Sequence, residues 1–419
     1  MNIAIIGSGV SGLVAARRLH PDHEVTVFES DARIGGHVHT WDVKLGSRTW
    51  SVDSGFIVYN DRNYPHFRRL LAELGVATQA SSMSFSVRHD RADLEYNGTT
   101  VRQLFVQRRN VLRPSFLQML ADVARFNREA PDVVRSGMDD ASVGDVLRRG
   151  RYSRAFRDWY LLPMGSAIWS VPAASVLDMP ARFFVEFFGN HGMLAVNDRP
   201  QWRVVRGGSA RYTDALTATF RDRIRTSTPV RRVERFPEWV EVDGERFDRV
   251  ILACHSDDAL SMLVDPTSAE REVLGALPYQ ENDAVLHTDV SVLPRRRAAW
   301  GAWNYRVSDD PSAPAVVTYN MNLLQSLAAP ETFCVTLNGA DAIDPARVIG
   351  RVRYRHPVAI AAGTSARARR GEVSGANRTH YCGAYWGNGF HEDGVVSALA
   401  VVGEIGAAVR TDTSLVAAP

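Results

Sequence analysis

The chain has 419 residues, enough for two or three cores of domain size. Its composition, 45% hydrophobic and 23% charged, is that of an ordinary globular protein. The formal net charge of +2 creates no strong field, and no nucleic-acid-binding module is recognisable, so we expect no nucleic-acid partner. Lys44 is the only lysine, so a lysine-dependent mechanism has a single candidate.

Cysteine and histidine spacing bears on disulfides and metals. Cys254, Cys334 and Cys382 are widely separated and form no CxxC pair, which argues against a disulfide scaffold and a structural zinc site. The histidines are dispersed and pair with no cysteine or carboxylate at ligand spacing, so no metal site is predicted.

The N-terminal residues predict a strand and not a signal peptide, and no apolar run reaches the roughly 18 residues of a spanning helix. We therefore expect a cytoplasmic protein. Peripheral contact with a membrane stays open.

The first 29 residues predict a β-α-β unit. Residues 2–6 are an apolar run, 13–19 have helical spacing and 23–29 alternate as a strand. An amphipathic helix is predicted over 66–75. Alternation over 84–106, with Asn97-Gly98 as the turn signal, predicts a hairpin.

The middle of the chain is predicted to be largely helical, from about 108 to 200, with helices over 113–130 and 141–162. Strand patterns then return, and Gly207-Gly-Ser209 leads into a helix. The predicted strands lie at 202–206, 229–233, 239–242, 248–254, 285–290, 315–319 and 332–337. Residues 380–408 predict strand, turn and helix, and 411–419 a flexible tail.

A glycine motif lies between the first strand and the first helix. In Gly7-x-Gly9-x-x-Gly12, the first glycine permits a tight turn, the second lets the backbone approach a pyrophosphate, and the third lets helix and strand pack closely. Glu29 ends the second strand, where it is placed to accept hydrogen bonds from ribose hydroxyls. The motif predicts a Rossmann-type dinucleotide site but does not separate NAD from FAD.

The residues after the glycine motif distinguish FAD from NAD. Glu29-Ser-Asp-Ala-Arg33-Ile-Gly35-Gly36 resembles the extended signature of the flavin amine oxidase and phytoene desaturase superfamily, as does Asp53-Ser-Gly55-Phe56. His37 stands where many relatives have arginine or lysine. Residues 381–398 resemble the family's C-terminal FAD motif, and Pro229-Val230 the strand beside adenine.

The resemblance implies FAD as cofactor and an α/β fold, with a Rossmann-type FAD-binding domain and a mixed α+β substrate domain. We assign 1–70, 200–280 and 350–410 to a discontinuous FAD-binding domain, and 71–199 and 281–349 to the substrate domain. The expected cofactor-binding residues are Gly7, Gly9, Ser11, Gly12, Glu29, Ser30, Arg33, Gly35, Gly36, His37, Ser54, Gly55, Phe56, Val230, Gly383, Asp393, Gly394 and Val395.

Several segments narrow the resemblance to one bacterial group. That group, described as predicted NAD/FAD-binding proteins, is often encoded beside cyclopropane-fatty-acid-synthase-like methyltransferases. The segments are 162–170, 190–192, 286–289, 300–305, 318–325 and 382–394. The resemblance implies a small hydrophobic, fatty-acyl or lipid-like substrate, and contact with a methyltransferase or a membrane as further partners.

The expected function is therefore FAD-dependent desaturation of a C–C bond by hydride transfer to flavin N5. One alternative is a flavin amine oxidase acting on a C–N bond. Another is a redox-silent flavin-binding protein that scaffolds lipid.

Candidate catalytic residues are His391 and Tyr385, because both lie in the segment expected to pass the flavin. The alternative is that they only shape the pocket. Lys44 is expected at the surface, and Glu392 as a helix cap. His191 and His287 are expected to be structural, and Phe183, Phe184, Phe187 and Phe188 form an apolar helical face of the core or of an acyl tunnel.

Overall fold

A computed structural model describes residues 1–135, 141–195 and 199–416. The strands are β1 Asn2–Ile6, β2 Glu24–Phe28, β3 Thr40–Leu45, β4 Arg48–Asp53, β5 Tyr59–Asn60, β6 Thr78–Ala80, β7 Phe85–His89, β8 Leu94–Asn97, β9 Trp202–Val205, β10 Ile224–Arg225, β11 Val233–Arg235, β12 Val240–Val242, β13 Glu245–Phe247, β14 Arg249–Leu252, β15 Tyr279–His287, β16 Trp303–Arg306, β17 Val316–Asn320, β18 Cys334–Leu337, β19 Val348–Pro357 and β20 Thr379–Tyr381.

The α-helices complete the architecture. They are α1 Val10–Leu19, α2 Pro65–Glu73, α3 Val101–Leu104, α4 Pro114–Arg135, α5 Val143–Arg149, α6 Arg154–Phe156, α7 Leu162–Trp169, α8 Ala173–Leu177, α9 Ala181–Asn190, α10 Ala210–Thr217, α11 Ser256–Met262, α12 Ser268–Gly275, α13 Met321–Leu324, α14 Ala361–Ala368, α15 Arg370–Val373 and α16 His391–Val416. Among the described helices, none is both long enough and apolar enough to cross a bilayer.

A parallel sheet joins both ends of the chain, in the order β10-β2-β1-β14-β20. Successive side chains of β1 point to opposite faces of this sheet. Ile3 and Ile5 pack in the core that contains α1, α10 and α16, while Ala4 and Ile6 pack in the core beside the antiparallel sheet β11-β12-β13. This is the FAD-binding fold that the resemblance implies.

A mixed sheet, in the order β19-β15-β18-β17-β16-β7-β8, forms the second unit. Because β19 pairs with β15 along its length, the predicted boundary at 350 falls inside a strand of this sheet. Helices α4 to α9 surround a separate core, in which Phe184, Phe187 and Phe188 are buried and Phe183 is partly buried. The phenylalanine face is therefore part of a core.

Three local predictions need correction. The hairpin of β7 and β8 turns at 90–93, and the turn at Asn97-Gly98 instead follows β8, where the Asn97 side chain accepts the Thr99 amide and donates to the carbonyls of Ala299 and Trp300. The strand predicted from 229 begins only at Val233, since the amides of Arg231 and Arg232 donate to the Asp243 carboxylate. Helix α16 continues to Val416, into the predicted tail, while 417–419 lie outside the described residues.

Candidate active site

The three glycines between β1 and α1 have different surroundings. Gly7 has φ +105°, and a Cβ there would lie 2.8 Å from the Ala253 carbonyl oxygen. A Cβ on Gly12 would lie 1.9 Å from the Gly7 oxygen, whereas one on Gly9 would meet nothing within 4 Å. Gly7 and Gly12 are therefore required by packing, and the space beside Gly9 is open to a ligand.

That open space lies at the N-terminus of α1. Gly9 is the N-cap, and within the described chain no side chain caps this end and no acidic residue lies in its first turn. The helix dipole and its free amides thus favour an anion here. Ser11 is buried in the same turn, and Gly36 from the following loop lies against Gly9, where its Cβ would be 3.2 Å from the Gly9 Cα.

Glu29 directly follows β2 and lies beside this turn, and its carboxylate is already bonded. It accepts hydrogen bonds from the Ser8 amide at 2.9 Å, the Asp31 amide at 2.9 Å and the hydroxyls of Ser8 and Ser30. Its position therefore suits a ribose, whose hydroxyls would replace the side-chain donors.

The Arg33 guanidinium, which was expected to contact a pyrophosphate, is bonded to the backbone of its own loop. Its guanidinium donates to the carbonyl oxygens of Val38 at 2.6 Å, Gly36 at 2.9 Å and Ile34 at 3.3 Å. These bonds hold the loop in which Gly35 and Gly36 have positive φ. In this structure Arg33 shapes the cofactor loop and does not project from it.

His37 lies where the loop after β2 meets β19 of the mixed sheet, and we call this place the junction. Its ring stacks on Tyr354 at a centroid distance of 5.0 Å and lies 5.4 Å from His356 and 6.0 Å from His255. Burial lowers the pKa of His37 to about 4 and the pKa of His356 to about 3, so both imidazoles are neutral at pH 7.

Tyr354, His356 and His255 were not among the predicted site residues. Tyr354 and His356 occupy alternate positions of β19, which is the signal that could have placed both on one face of a strand.

The segment after β4 contacts the same place. A Cβ on Gly55 would lie 2.0 Å from the His37 oxygen, and the Ser54 hydroxyl lies 3.2 Å from the Tyr354 hydroxyl. Phe56 stacks on His391 at 3.6 Å. Ser54, Gly55 and Phe56 thus lie beside His37, Tyr354 and His391, and their contact with a flavin stays a prediction.

Asp53, at the end of β4, anchors this segment. Its carboxylate accepts hydrogen bonds from the Ser209 amide and hydroxyl, the Thr40 hydroxyl and the Gln325 amide group. Burial raises the pKa of Asp53 to about 6, against the opposing effect of the Thr40 and Ser209 bonds. Asp53 therefore joins the FAD-binding unit to the substrate unit.

The C-terminal motif packs against the N-terminal one. A Cβ on Gly394 would lie 2.7 Å from Val10 Cγ1, so the first turns of α16 and α1 touch. The Gly383 amide donates to Ser397 at 2.9 Å, and Val395 is buried.

Asp393 lies at the start of α16 and accepts the amides of Asn388 and Phe390. Burial raises the pKa of Asp393 to about 6. Val230, the expected adenine neighbour, is partly buried against the core beside β11.

The two catalytic candidates have unequal surroundings. His391 Nε2 lies 2.6 Å from the Tyr212 hydroxyl, and burial lowers the pKa of His391 to about 3. This partner supports a pocket-shaping role for His391. Tyr385 is buried, and its hydroxyl has no hydrogen-bond partner among the described residues.

Other polar residues have structural roles. Glu392 is a helix cap, but it caps α2 and not its own helix α16, by accepting the amides of His66 and Phe67. His191 bonds the Phe187 oxygen, and His287 bonds Thr336 and the Asp289 amide. Lys44 is exposed on β3.

One acidic cluster was missed. His255, Asp257 and Asp258 have potential ligand atoms within 4.8 Å of one another, so the statement that no histidine pairs with carboxylates at ligand spacing is wrong. Arg355 donates to both carboxylates, so the geometry is that of an ion-pair network.

The chain's own groups fit a bound flavin dinucleotide. Buried polar atoms without a partner in the described chain include His37 Nε2, His39 Nδ1, Tyr385 Oη and Trp386 Nε1. They belong to the motif loops from both ends of the chain. Together with the open, uncapped helix N-terminus at Gly9, they offer a phosphate site and hydrogen-bonding groups that a ligand can satisfy.

Comparisons with known proteins agree with this geometry. Residues 10–289 match the family model described as flavin containing amine oxidoreductase. The chain is 28% identical over 217 residues to the protein named probable polyamine oxidase 4 of Arabidopsis thaliana, covering 49% of this chain and 41% of that protein. It thus spans less than half the length of that plant relative.

Two solved structures have the same fold. Cyclohexylamine oxidase from Brevibacterium oxydans superposes with a TM-score of 0.68 at 16% identity, covering 97% of this chain and 99% of that one. A CLA-producing fatty acid isomerase from P. acnes superposes with a TM-score of 0.66 at 16% identity, covering 95% of this chain and 97% of that one.

Proposed function

We propose that this chain, which belongs to the family of flavin-containing amine oxidoreductases and is an FAD-dependent oxidoreductase, desaturates a C–C bond of a fatty-acyl or related lipid substrate. The observation that carries the proposal is the chemical character of the junction around His37. The rings beside His37 are the Tyr354 phenol and the imidazoles of His356 and His255, and burial lowers the pKa of all three imidazoles far enough to keep them neutral at pH 7.

The carboxylates near the junction are all engaged. Glu29 is bonded by the glycine turn, Asp53 by Ser209 and Thr40, Glu392 by α2, and Asp393 by its own loop. In the described chain, the groups at the junction therefore provide no unpaired carboxylate to hold a substrate ammonium group. This arrangement supports an uncharged, apolar substrate.

The protein groups contribute binding and proton handling. The chemistry that bound FAD supplies is the removal of two electrons from the substrate. Burial keeps the pKa of Tyr385 well above 10, so its hydroxyl stays protonated and can donate a hydrogen bond. Burial keeps the His37 imidazole neutral, so its unpartnered Nε2 can form a hydrogen bond with the bound cofactor without adding a charge. His391, bonded to Tyr212, positions the start of α16.

An anaerobic reduction experiment tests the proposal. The purified, FAD-loaded protein is mixed with fatty acids and acyl thioesters on one side, and with primary and secondary amines on the other. We expect bleaching of the flavin absorbance with an acyl compound, and a product carrying one more C=C bond by mass spectrometry. Bleaching by amines alone would overturn the proposal, and no bleaching by either class would leave the redox-silent lipid scaffold as the function.

Amine oxidation is the second candidate, and the family match favours it. The solved neighbour named cyclohexylamine oxidase supports a C–N substrate, as the fatty acid isomerase supports an acyl one. Lys44 is the only lysine and is exposed on β3, so an amine oxidation by this chain would proceed without a lysine in the junction.

A further inference from the structure

Residues 96–121 have an unusual combination of side chains. The stretch contains four arginines, Arg102, Arg108, Arg109 and Arg113, and no acidic residue. It also holds four of the large hydrophobic side chains that the described structure leaves exposed: Val101 is 75% exposed, Val111 51%, Leu112 85% and Leu117 43%. Exposed aliphatic side chains so close together in the sequence point to an interaction site.

The backbone of this stretch is held firmly against the substrate unit. Gln107 is buried, accepts the Glu95 amide at 3.0 Å and donates to the Asp93 oxygen at 3.3 Å. The rings of Phe105 and Phe116 pack at 5.7 Å, which brings the ends of α3 and α4 together. The aliphatic side chains therefore remain exposed although the segment that carries them is packed.

The arginines differ in how they are used. Arg109 pairs with Asp93, and Arg113 lies 4.6 Å over the Trp159 ring. Arg102 and Arg108 are exposed, and neither forms an ion pair with a residue that the structure describes. We call Val101, Arg102, Arg108, Val111, Leu112 and Leu117 the basic-apolar face.

We propose that the basic-apolar face docks the protein on an anionic lipid surface. Aliphatic side chains gain free energy by entering an apolar phase, which acyl chains provide and nucleic acid does not. Unpaired arginines beside them meet lipid phosphates. Contact would be peripheral, since no described helix is suited to span a bilayer. The inference does not depend on the proposed reaction, because binding requires no turnover.

Vesicle flotation with the full-length, FAD-loaded protein tests the inference. Two kinds of vesicle are compared, phosphatidylcholine alone and phosphatidylcholine with phosphatidylglycerol. We expect binding to the anionic vesicles that weakens as salt is added, and at least about 10-fold weaker partition for Arg102→Glu/Arg108→Glu. Val111→Ser/Leu112→Ser should lose about as much, since two aliphatic side chains would no longer enter the bilayer.

The matched control is Val264→Ser/Arg271→Glu, which changes an exposed valine and an exposed arginine elsewhere. It should bind as the wild type does, and all variants should keep the wild-type melting temperature and flavin content. Failure of the wild type to bind anionic vesicles would overturn the inference. Equal loss in the control, or binding only to nucleic acid or to other proteins, would overturn it as well.

Discussion

Alanine at Gly9 and alanine at Gly12 should separate cofactor binding from folding. Gly9 has φ −66° and ψ 177°, which alanine adopts without strain, and its added methyl group would meet no protein atom within 4 Å. Alanine at an N-cap costs a few tenths of a kcal/mol or more relative to glycine. The reduced entropy of the unfolded chain offsets about 0.4–1 kcal/mol. The Gly9→Ala apoprotein should therefore melt close to the wild type.

The methyl group that Gly9→Ala adds would nevertheless occupy the space into which a pyrophosphate fits. Inserting a methyl group into a well-packed contact costs about 1–3 kcal/mol, so the Kd for FAD should rise by about 10- to 100-fold.

Gly12→Ala should act on the fold itself. Its Cβ would lie 1.9 Å from the Gly7 carbonyl oxygen, and this contact is with backbone that cannot move without separating α1 from β1. We expect a destabilisation at or above the roughly 3 kcal/mol limit of ordinary overpacking.

Thermal melting of the apoproteins and FAD titration followed by flavin fluorescence distinguish these effects. If Gly9→Ala bound FAD with wild-type affinity, or if Gly12→Ala melted as the wild type does, the assigned geometry of the turn would be refuted.

Three further outcomes are expected. Tyr385→Phe should slow anaerobic flavin reduction by about 10²- to 10⁴-fold without lowering stability, since the hydroxyl has no partner in the described chain, whereas exposed Lys44→Met should reduce at the wild-type rate in stopped flow. Glu29→Ala should weaken FAD by about 1–3 kcal/mol in a fluorescence titration, and unchanged affinity would remove Glu29 from the ribose site. Burial lowers the pKa of His356 to about 3, so the unfolded state binds more protons than the native state below about pH 6.5, and the free energy of unfolding decreases as the pH is lowered. His356→Asn should make the decline of the apoprotein melting temperature between about pH 6.5 and pH 4 shallower, and an identical decline would contradict the burial of this imidazole.

The sequence was sufficient where function depends on local geometry. The order strand, glycine turn and helix places Gly7, Gly9 and Gly12 within one turn of chain, so their separate roles follow from spacing alone. The apolar runs in 2–6 and 248–254 likewise predict two strands, which are β1 and β14. The pairing of these strands, and the contact that a Cβ on Gly7 would make with Ala253, depended on the tertiary structure.

Side-chain partners of the polar residues were decided by the tertiary structure. Asn97-Gly98 does begin a turn, in which the Asn97 side chain accepts the Thr99 amide, but the turn leads to α3 and not to a paired strand, and the Asn97 side chain also donates to the chain at Ala299, 202 residues later. Glu392 caps α2, and its partner amide at His66 is 326 residues away. Local sequence patterns cannot predict such contacts, since the contacts form only when distant segments of the chain pack together.

The junction around His37 is the clearest case. Tyr354 and His356 reach it from a strand of the other sheet, and the spacing of more than three hundred residues carries no signal. Packing of the two units removes these rings from water, and that desolvation makes the imidazoles neutral. The cofactor could be recognised from the sequence, but the chemical character of the surface beside it depended on which side chains the fold buried together.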